Sequence, residues 1–169
     1  MEIHLSEESA QQALVERLAA ALLGRGACMA TAESCTGGLI AAACTSLAGS
    51  SDWFERGFVT YSNQAKCGML GVAEALIAAH GAVSAEVACA MAEGAILQSR
   101  AGFAVSVTGI AGPGGGSIAK PVGTVWIAVA QSGRTASATL LQASGDRAAI
   151  RAASVVRALA LLVERCEAA

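Results

Sequence analysis

The run Phe103-Ala-Val-Ser-Val107 is apolar at nearly every position, is too short for a buried helix, and stops abruptly at Thr108. From there the chain enters a glycine-dense stretch, TGIAGPGGGSIAKPVG, that no regular element accommodates. Residues 28–33 behave the same way and end in TAESCTGG, again with two glycines. Strands apolar on both faces belong in a sheet covered by helices on both sides, and such sheets are largely parallel.

The rest of the chain supplies the helices. Residues 6–23 repeat Leu14, Val15, Leu18 and Leu22 at helical spacing, with Ser6, Glu8 and Ser9 as capping groups and Gly24 and Gly26 as the stop. Helical stretches are also expected at 37–47, 63–70 and 73–79, then at 85–100 behind a Ser84 cap. A last helix over 146–164 is read with Ser144 as its cap and Ile150, Val155, Leu159, Leu162 and Val163 as its apolar stripe. A turn falls at 49–52 and a further strand at 54–61. Residues 123–130 and 135–141 read as a hairpin turning at Ser132-Gly133. Alternating strands and helices with one hairpin predict a single α/β domain over 1–169. The expected form is a three-layer α/β/α sandwich whose mixed, mostly parallel sheet has about five strands, one of them antiparallel.

Composition removes several function classes. Hydrophobic residues make up 54% of the chain, but much of that is alanine, and charges or glycines break every apolar run before a membrane-spanning length. The N-terminal MEIHLSEESAQQ lacks the basic and apolar regions of a signal peptide, so a cytoplasmic protein is expected. A net charge of −2 offers no basic footprint for nucleic acid. Cysteines at 28, 35, 44, 67, 89 and 166 form no CxxC pair, and the two histidines, His4 and His80, stand at no ligand spacing. Reduced thiols, no metal and no cofactor are therefore expected. The basic residues are all arginine except Lys66 and Lys120, which marks these two as candidates for work needing a titratable amine.

In open α/β sheets, ligands gather where strands end and helices begin. Three segments answer to that: TAESCTGG, TYSNQAK and TGIAGPGGG. In the first, Ser34 and Thr36 either cap the following helix or present hydroxyls at its N-terminus, where free N–H groups stabilise an anion. Gly37 and Gly38 allow close approach of a ligand to the backbone. A nucleophilic serine needs a base. His4 lies near the terminus and His80 at a helix end, so the alternative is a lysine made neutral by burial, and Lys66 fits. Tyr61, the only tyrosine, either relays a proton, orients that lysine or simply packs at the strand end. Cys35 is the rival nucleophile, but it has no histidine partner and is read as a packing residue. The glycine loop lacks the P-loop spacing, because Pro121 follows Lys120. It reads as a ligand-covering loop or a plain surface loop. Thr108 is the residue there best placed to touch a ligand, and Arg147 in SGDR either reaches a phosphate or caps its helix.

Taken together, AESCTGG (32–38), GSSDWFERGFVTYSNQAK (49–66), HGAVS (80–84), VTGIAGPGGG (107–116), KPVGTVWIA (120–128) and GDR (145–147) resemble the CinA C-terminal domain family, the nicotinamide-nucleotide amidohydrolases. The resemblance implies an α/β/α domain that hydrolyses the carboxamide of nicotinamide mononucleotide to nicotinate mononucleotide and ammonia, in pyridine nucleotide salvage. It implies a serine nucleophile, Ser34, paired with Lys66 and with Tyr61 close by. Thr36, Gly37, Gly38, Asn63, Thr108, Gly109, Gly112 and Arg147 are expected around the substrate. It further implies a homodimer, and the chain resembles the stand-alone form of the family rather than its longer members. A nucleotide-binding regulatory module linked to competence or DNA damage, and a Ser-Lys hydrolase of another amide, are the competing readings.

Overall fold

A computed structural model describes residues 2–169, with side chains described from Ser9 onward. The elements run α1 (Glu2–Gly24), β1 (Met29–Glu33), α2 (Leu39–Thr45), a 3-10 turn (Ser50–Asp52), β2 (Phe54–Val59), α3 (Asn63–Leu70), α4 (Glu74–His80), α5 (Ala85–Leu97), β3 (Phe103–Gly109), β4 (Thr124–Gln131), β5 (Arg134–Gln142) and α6 (Arg147–Ala168). The five strands form one sheet in the order β2-β1-β3-β4-β5. β1 pairs in parallel with both β2 and β3, whereas β4 is antiparallel to β3 and to β5, so only β4 runs against the rest.

The period-2 alternation of the strands sorts their side chains onto two faces. Met29, Phe103, Val105, Val107, Val125, Ile127 and Val129 pack with Leu18 and Leu22 of α1, Ile40 of α2 and Leu159 and Leu162 of α6. The opposite face is built from smaller residues. Ala30, Ala32 and Ala104 meet Val87, Met91 and Ala95 of α5, and Ala128 and Ala130 meet Ala88 and Ala92. Alanine on both sides lets α5 lie close against the sheet, and the buried Ser106 hydroxyl donates to the Ala88 carbonyl at 2.6 Å. Helices thus cover both faces, as the sequence predicts. Among the described residues no helix is long and apolar enough to cross a membrane.

The chain leaves β1 through α2 toward β2 on one side, then returns through α3, α4 and α5 across β1 to β3 on the other. That reversal makes the carboxyl ends of β1 and β3 a topological switch point, where a crevice opens in sheets of this kind.

Several expected boundaries shift. The first helix begins at Glu2, ahead of Ser6; the capping side chains Ser6 and Glu8, and His4, lie outside the described side chains. α2 begins at Leu39 rather than Gly37, because Gly37 and Gly38 adopt left-handed conformations with φ of 59° and 99°. α6 is capped by Asp146, whose carboxylate accepts from the Ala149 amide at 2.9 Å, and not by Ser144. The carboxylate also suits the positive end of the helix dipole. The Ser84 cap on α5 and the hairpin turn at Ser132-Gly133 stand where the sequence predicts them.

Candidate active site

Lys66 lies in the first turn of α3, a helix N-capped by the Ser62 hydroxyl, which accepts from the Ala65 amide. Its stem is carried inward, leaving the side chain only 2% exposed. The side-chain nitrogen meets three oxygens: Ser34 Oγ at 3.0 Å, the Thr60 carbonyl at 3.1 Å and the Tyr61 carbonyl at 3.4 Å. Among the described residues no carboxylate pairs with it. Burial therefore holds the Lys66 pKa below the ordinary lysine value, because the lost hydration of the charged form outweighs the opposing influence of the Cys35 and Cys67 thiols.

Ser34 is held by the sheet itself. Its amide donates to the Val107 carbonyl of β3 at 2.9 Å, and its carbonyl accepts from the Gly37 amide at 3.0 Å, closing a tight turn over Cys35 and Thr36. The turn is anchored on two sides. Glu33, fully buried at the end of β1, accepts from the amides of Ile40 and Ala41 at 2.9 and 3.0 Å, capping α2 with its carboxylate. Arg151 of α6 donates to the carbonyls of Cys35 and Thr36 at 3.1 and 3.2 Å. Among the described residues the amides of Cys35, Thr36 and Gly38 have no acceptor. The Cys35 thiol is buried, and desolvation pushes its pKa up to about 11.

A cavity of about 210 Å³ opens over this turn at the switch point. It is lined by Ser34, Cys35, Tyr61, Asn63, Lys66, Ala82, Val83, Thr108, Gly109, Ala111 and Arg147, with no acidic residue among them. Thr108, buried at the end of β3, uses its hydroxyl to hold the Ala82 carbonyl at 2.8 Å and so fixes the far wall. Arg147, the first residue of α6, leans back over the cavity rather than capping its helix. One of its nitrogens donates to the Gly112 carbonyl at 2.8 Å and another to the Tyr61 hydroxyl at 3.0 Å.

The structure thus gathers Ser34, Lys66, Tyr61, Asn63, Thr108, Gly109 and Arg147 around one cavity. Thr36, Gly37, Gly38 and Gly112 border it without lining it. The Thr36 side chain is fully buried with its hydroxyl unpartnered. Gly37 faces Arg151, Gly38 faces Val59, and Gly112 contributes its carbonyl to Arg147. Tyr61 is 61% exposed, and its hydroxyl meets Arg147; only its backbone carbonyl meets Lys66.

Two residues that sequence patterns did not single out, Glu33 and Arg151, hold the serine turn. A lone acid at the end of an apolar strand signals the first. The second stands one helical turn after Arg147 on the same face of α6.

Comparison with known proteins identifies relatives along nearly the whole chain. Residues 11–166 match the CinA C-terminal domain family. The chain is 54% identical over 149 residues to the nicotinamide-nucleotide amidohydrolase PncC of Escherichia coli K12, covering 88% of this chain and 90% of that protein. It is 53% identical over 146 residues to the protein of the same name from Pseudomonas putida, covering 86% and 91% of the two chains. The crystal structure of the competence/damage inducible protein CihA from Agrobacterium tumefaciens superposes with a TM-score of 0.89 at 47% identity, over 92% of this chain and 94% of that one.

Proposed function

The chain belongs to the CinA C-terminal domain family, and from that premise we propose that it hydrolyses the carboxamide of nicotinamide mononucleotide to nicotinate mononucleotide and ammonia. Ser34 is the nucleophile and Lys66 the base. The observation that carries this reading is the buried contact of 3.0 Å between Lys66 Nζ and Ser34 Oγ.

The hydrogen-bond inventory around Lys66 suits a neutral amine. An amine has two N–H groups and one lone pair. The carbonyls of Thr60 and Tyr61 take the two N–H groups, leaving the lone pair to accept the Ser34 hydroxyl proton. Burial favours that neutral state. As Ser34 Oγ bonds to the amide carbon, its proton passes to Lys66. The carbonyl oxygen becomes an oxyanion beside the unpartnered amides of the turn after Ser34. Lys66 then returns the proton to the leaving nitrogen, the C–N bond breaks, and ammonia departs. Water, deprotonated by Lys66, attacks the acyl-serine, and the carboxylate product leaves with Ser34 restored.

The rest of the cavity suits an anionic nucleotide. Arg147 is a cation at the N-terminal end of a helix, where the dipole disfavours it, and among the described residues it has no carboxylate partner. A substrate phosphate supplies that partner. The same contact gives Tyr61 a role: its hydroxyl holds Arg147 in place over the substrate, and Asn63 stands at the rim. In this reading the enzyme works in the cytoplasm, as a homodimer, in pyridine nucleotide salvage.

Ammonia release measured over a panel of amides, with nicotinamide mononucleotide and free nicotinamide included, tests the reading. Turnover of the nucleotide with loss in Ser34→Ala supports it. Nucleotide binding without turnover makes the chain a regulatory module, and turnover of other amides alone makes it a different amidohydrolase.

A further inference from the structure

We propose that Arg151 is a positioning residue for the reaction: it holds the Cys35–Thr36 segment so that the amides of Cys35 and Thr36 face the reacting carbonyl as an oxyanion hole. The inference rests on Ser34 being the nucleophile, and it does not depend on which amide is the substrate.

In a trans peptide the C=O and N–H point in opposite directions. Arg151 Nε holds the Cys35 carbonyl at 3.1 Å, so the N–H of Thr36, which shares that peptide plane, points away from α6. The Ser34 carbonyl is held by the Gly37 amide at 3.0 Å, which turns the Cys35 N–H outward from the turn in the same manner. Two successive N–H groups without acceptors, directly after a nucleophile, form a concavity suited to an anion. Leu39 adds a second hold on the Thr36 carbonyl through its amide at 3.1 Å, but among the described residues only Arg151 reaches the Cys35 carbonyl.

Charge adds to orientation. Among the described residues the Arg151 guanidinium has no carboxylate partner, so its field acts on the two peptides it binds. A cation on a carbonyl oxygen polarises the whole amide and strengthens its N–H as a donor. Arg151 is half-buried between α6 and the turn, and a Cβ placed on Gly37 lies 3.5 Å from its Nη2. The neighbouring backbone therefore leaves the guanidinium room without slack. Arg147 and Arg151, one turn apart on α6, divide the work: the first faces the cavity, and the second stands behind the turn.

The test uses p-nitrophenyl acetate, an activated ester that acylates an active serine irrespective of the natural substrate, beside nicotinamide mononucleotide. Ser34 acylation is followed by nitrophenol release and by mass shift, with Ser34→Ala as the control. Arg151→Gln is expected to slow Ser34 acylation by roughly 10- to 100-fold, somewhat less than outright loss of an oxyanion donor. In ammonia release it should lower kcat by a similar factor while KM stays within about threefold, because the oxyanion exists only in the transition state. The pH dependence set by Lys66 should not move. Arg151→Lys, which keeps the charge but reaches one carbonyl, should recover part of the rate. Should Arg151→Gln fail to fold, Arg151→Lys carries the test, with an intermediate acylation rate expected. Wild-type acylation by whichever of these variants folds, or a rise in KM with kcat unchanged, overturns the inference. Arg151-dependent acylation without turnover of the nucleotide leaves the inference standing and removes the proposed substrate instead.

Discussion

The Nζ of Lys66 and the Oγ of Ser34 stand 3.0 Å apart although 32 positions separate them in the chain. Each comes from a different strand end: Ser34 directly follows β1, and Lys66 sits one turn into the helix after β2. Parallel pairing of β1 with β2, Glu33 opposite Val59, brings those ends together.

Loss of either partner should abolish turnover. Ser34→Ala and Lys66→Met are each expected to lower ammonia release by about 10³-fold or more, and the double variant should be little worse than either alone, because base and nucleophile act as a unit. Steady-state kinetics of the three proteins decide it, and additive losses contradict a shared step.

The direction of the Lys66 shift sets the pH profile. Burial lowers its pKa, and in the proposed mechanism the neutral amine is the active form. Activity in kcat/KM should therefore rise with pH and level off above a pKa lying below the ordinary lysine value of 10.5. Stability changes in the same direction. The unfolded lysine binds its proton more tightly than the folded one, so unfolding free energy gains a contribution as pH rises from the folded pKa toward the unfolded one. A pH–rate profile with its acid limb at or above 10.5 contradicts the assignment.

Cys35 should be dispensable. Its thiol pKa of about 11 leaves almost no thiolate at neutral pH. Cys35→Ser is expected to keep at least about a third of wild-type kcat, a loss of less than about 1 kcal/mol in barrier. Iodoacetamide at neutral pH should leave the wild-type rate nearly unchanged. Loss of turnover in Cys35→Ser by powers of ten makes the thiol the nucleophile.

Glu33 should matter for stability. Its carboxylate satisfies two amides of α2 in a fully buried setting. Glu33→Gln leaves one amide facing an N–H₂ group and should cost about 1–3 kcal/mol, read as a lower urea midpoint at unchanged slope.

Two glycines give a matched pair. A Cβ on Gly94 of α5 would overlap the Leu70 carbonyl at the end of α3, the helix that carries Lys66. Gly94→Ala should therefore destabilise by about 1–3 kcal/mol or more. It should also lower kcat, because α3 must shift to relieve the overlap. Gly68, exposed in α3 with no atom within 4 Å of such a Cβ, should gain up to about 1 kcal/mol when changed to alanine. Thermal unfolding of the two variants in opposite directions checks the packing of α5 on α3.

Much of this architecture was legible in the residues, because the informative signals are local. The buried strands at β1 and β3 announce themselves by short apolar runs ending near glycine, and Ser84 announces α5 by its capping position. Boundaries drifted where two neighbouring residues offer the same chemistry. Ser144 and Asp146 are both good caps, and only the path of the chain after Gly145, at φ 104°, selects Asp146. Gly37 and Gly38 permit a helix start in principle, but the turn over Cys35 and Thr36 takes them into left-handed conformations.

What the sequence by itself determined is the set of chemical groups at each strand end: a serine before two glycines, a rare lysine, a lone tyrosine, a threonine at the close of β3. Side-chain type and local periodicity are properties of neighbours along the chain, so they are legible without coordinates. Only the tertiary structure decided how those groups divide their partners. Packing buries the Lys66 stem and aims its amine at Ser34. It gives the Tyr61 hydroxyl to Arg147 rather than to the lysine. It also puts Arg151 and Glu33 on either side of the serine turn, contacts that span up to 116 positions and depend on how α6 and α2 lie against one sheet.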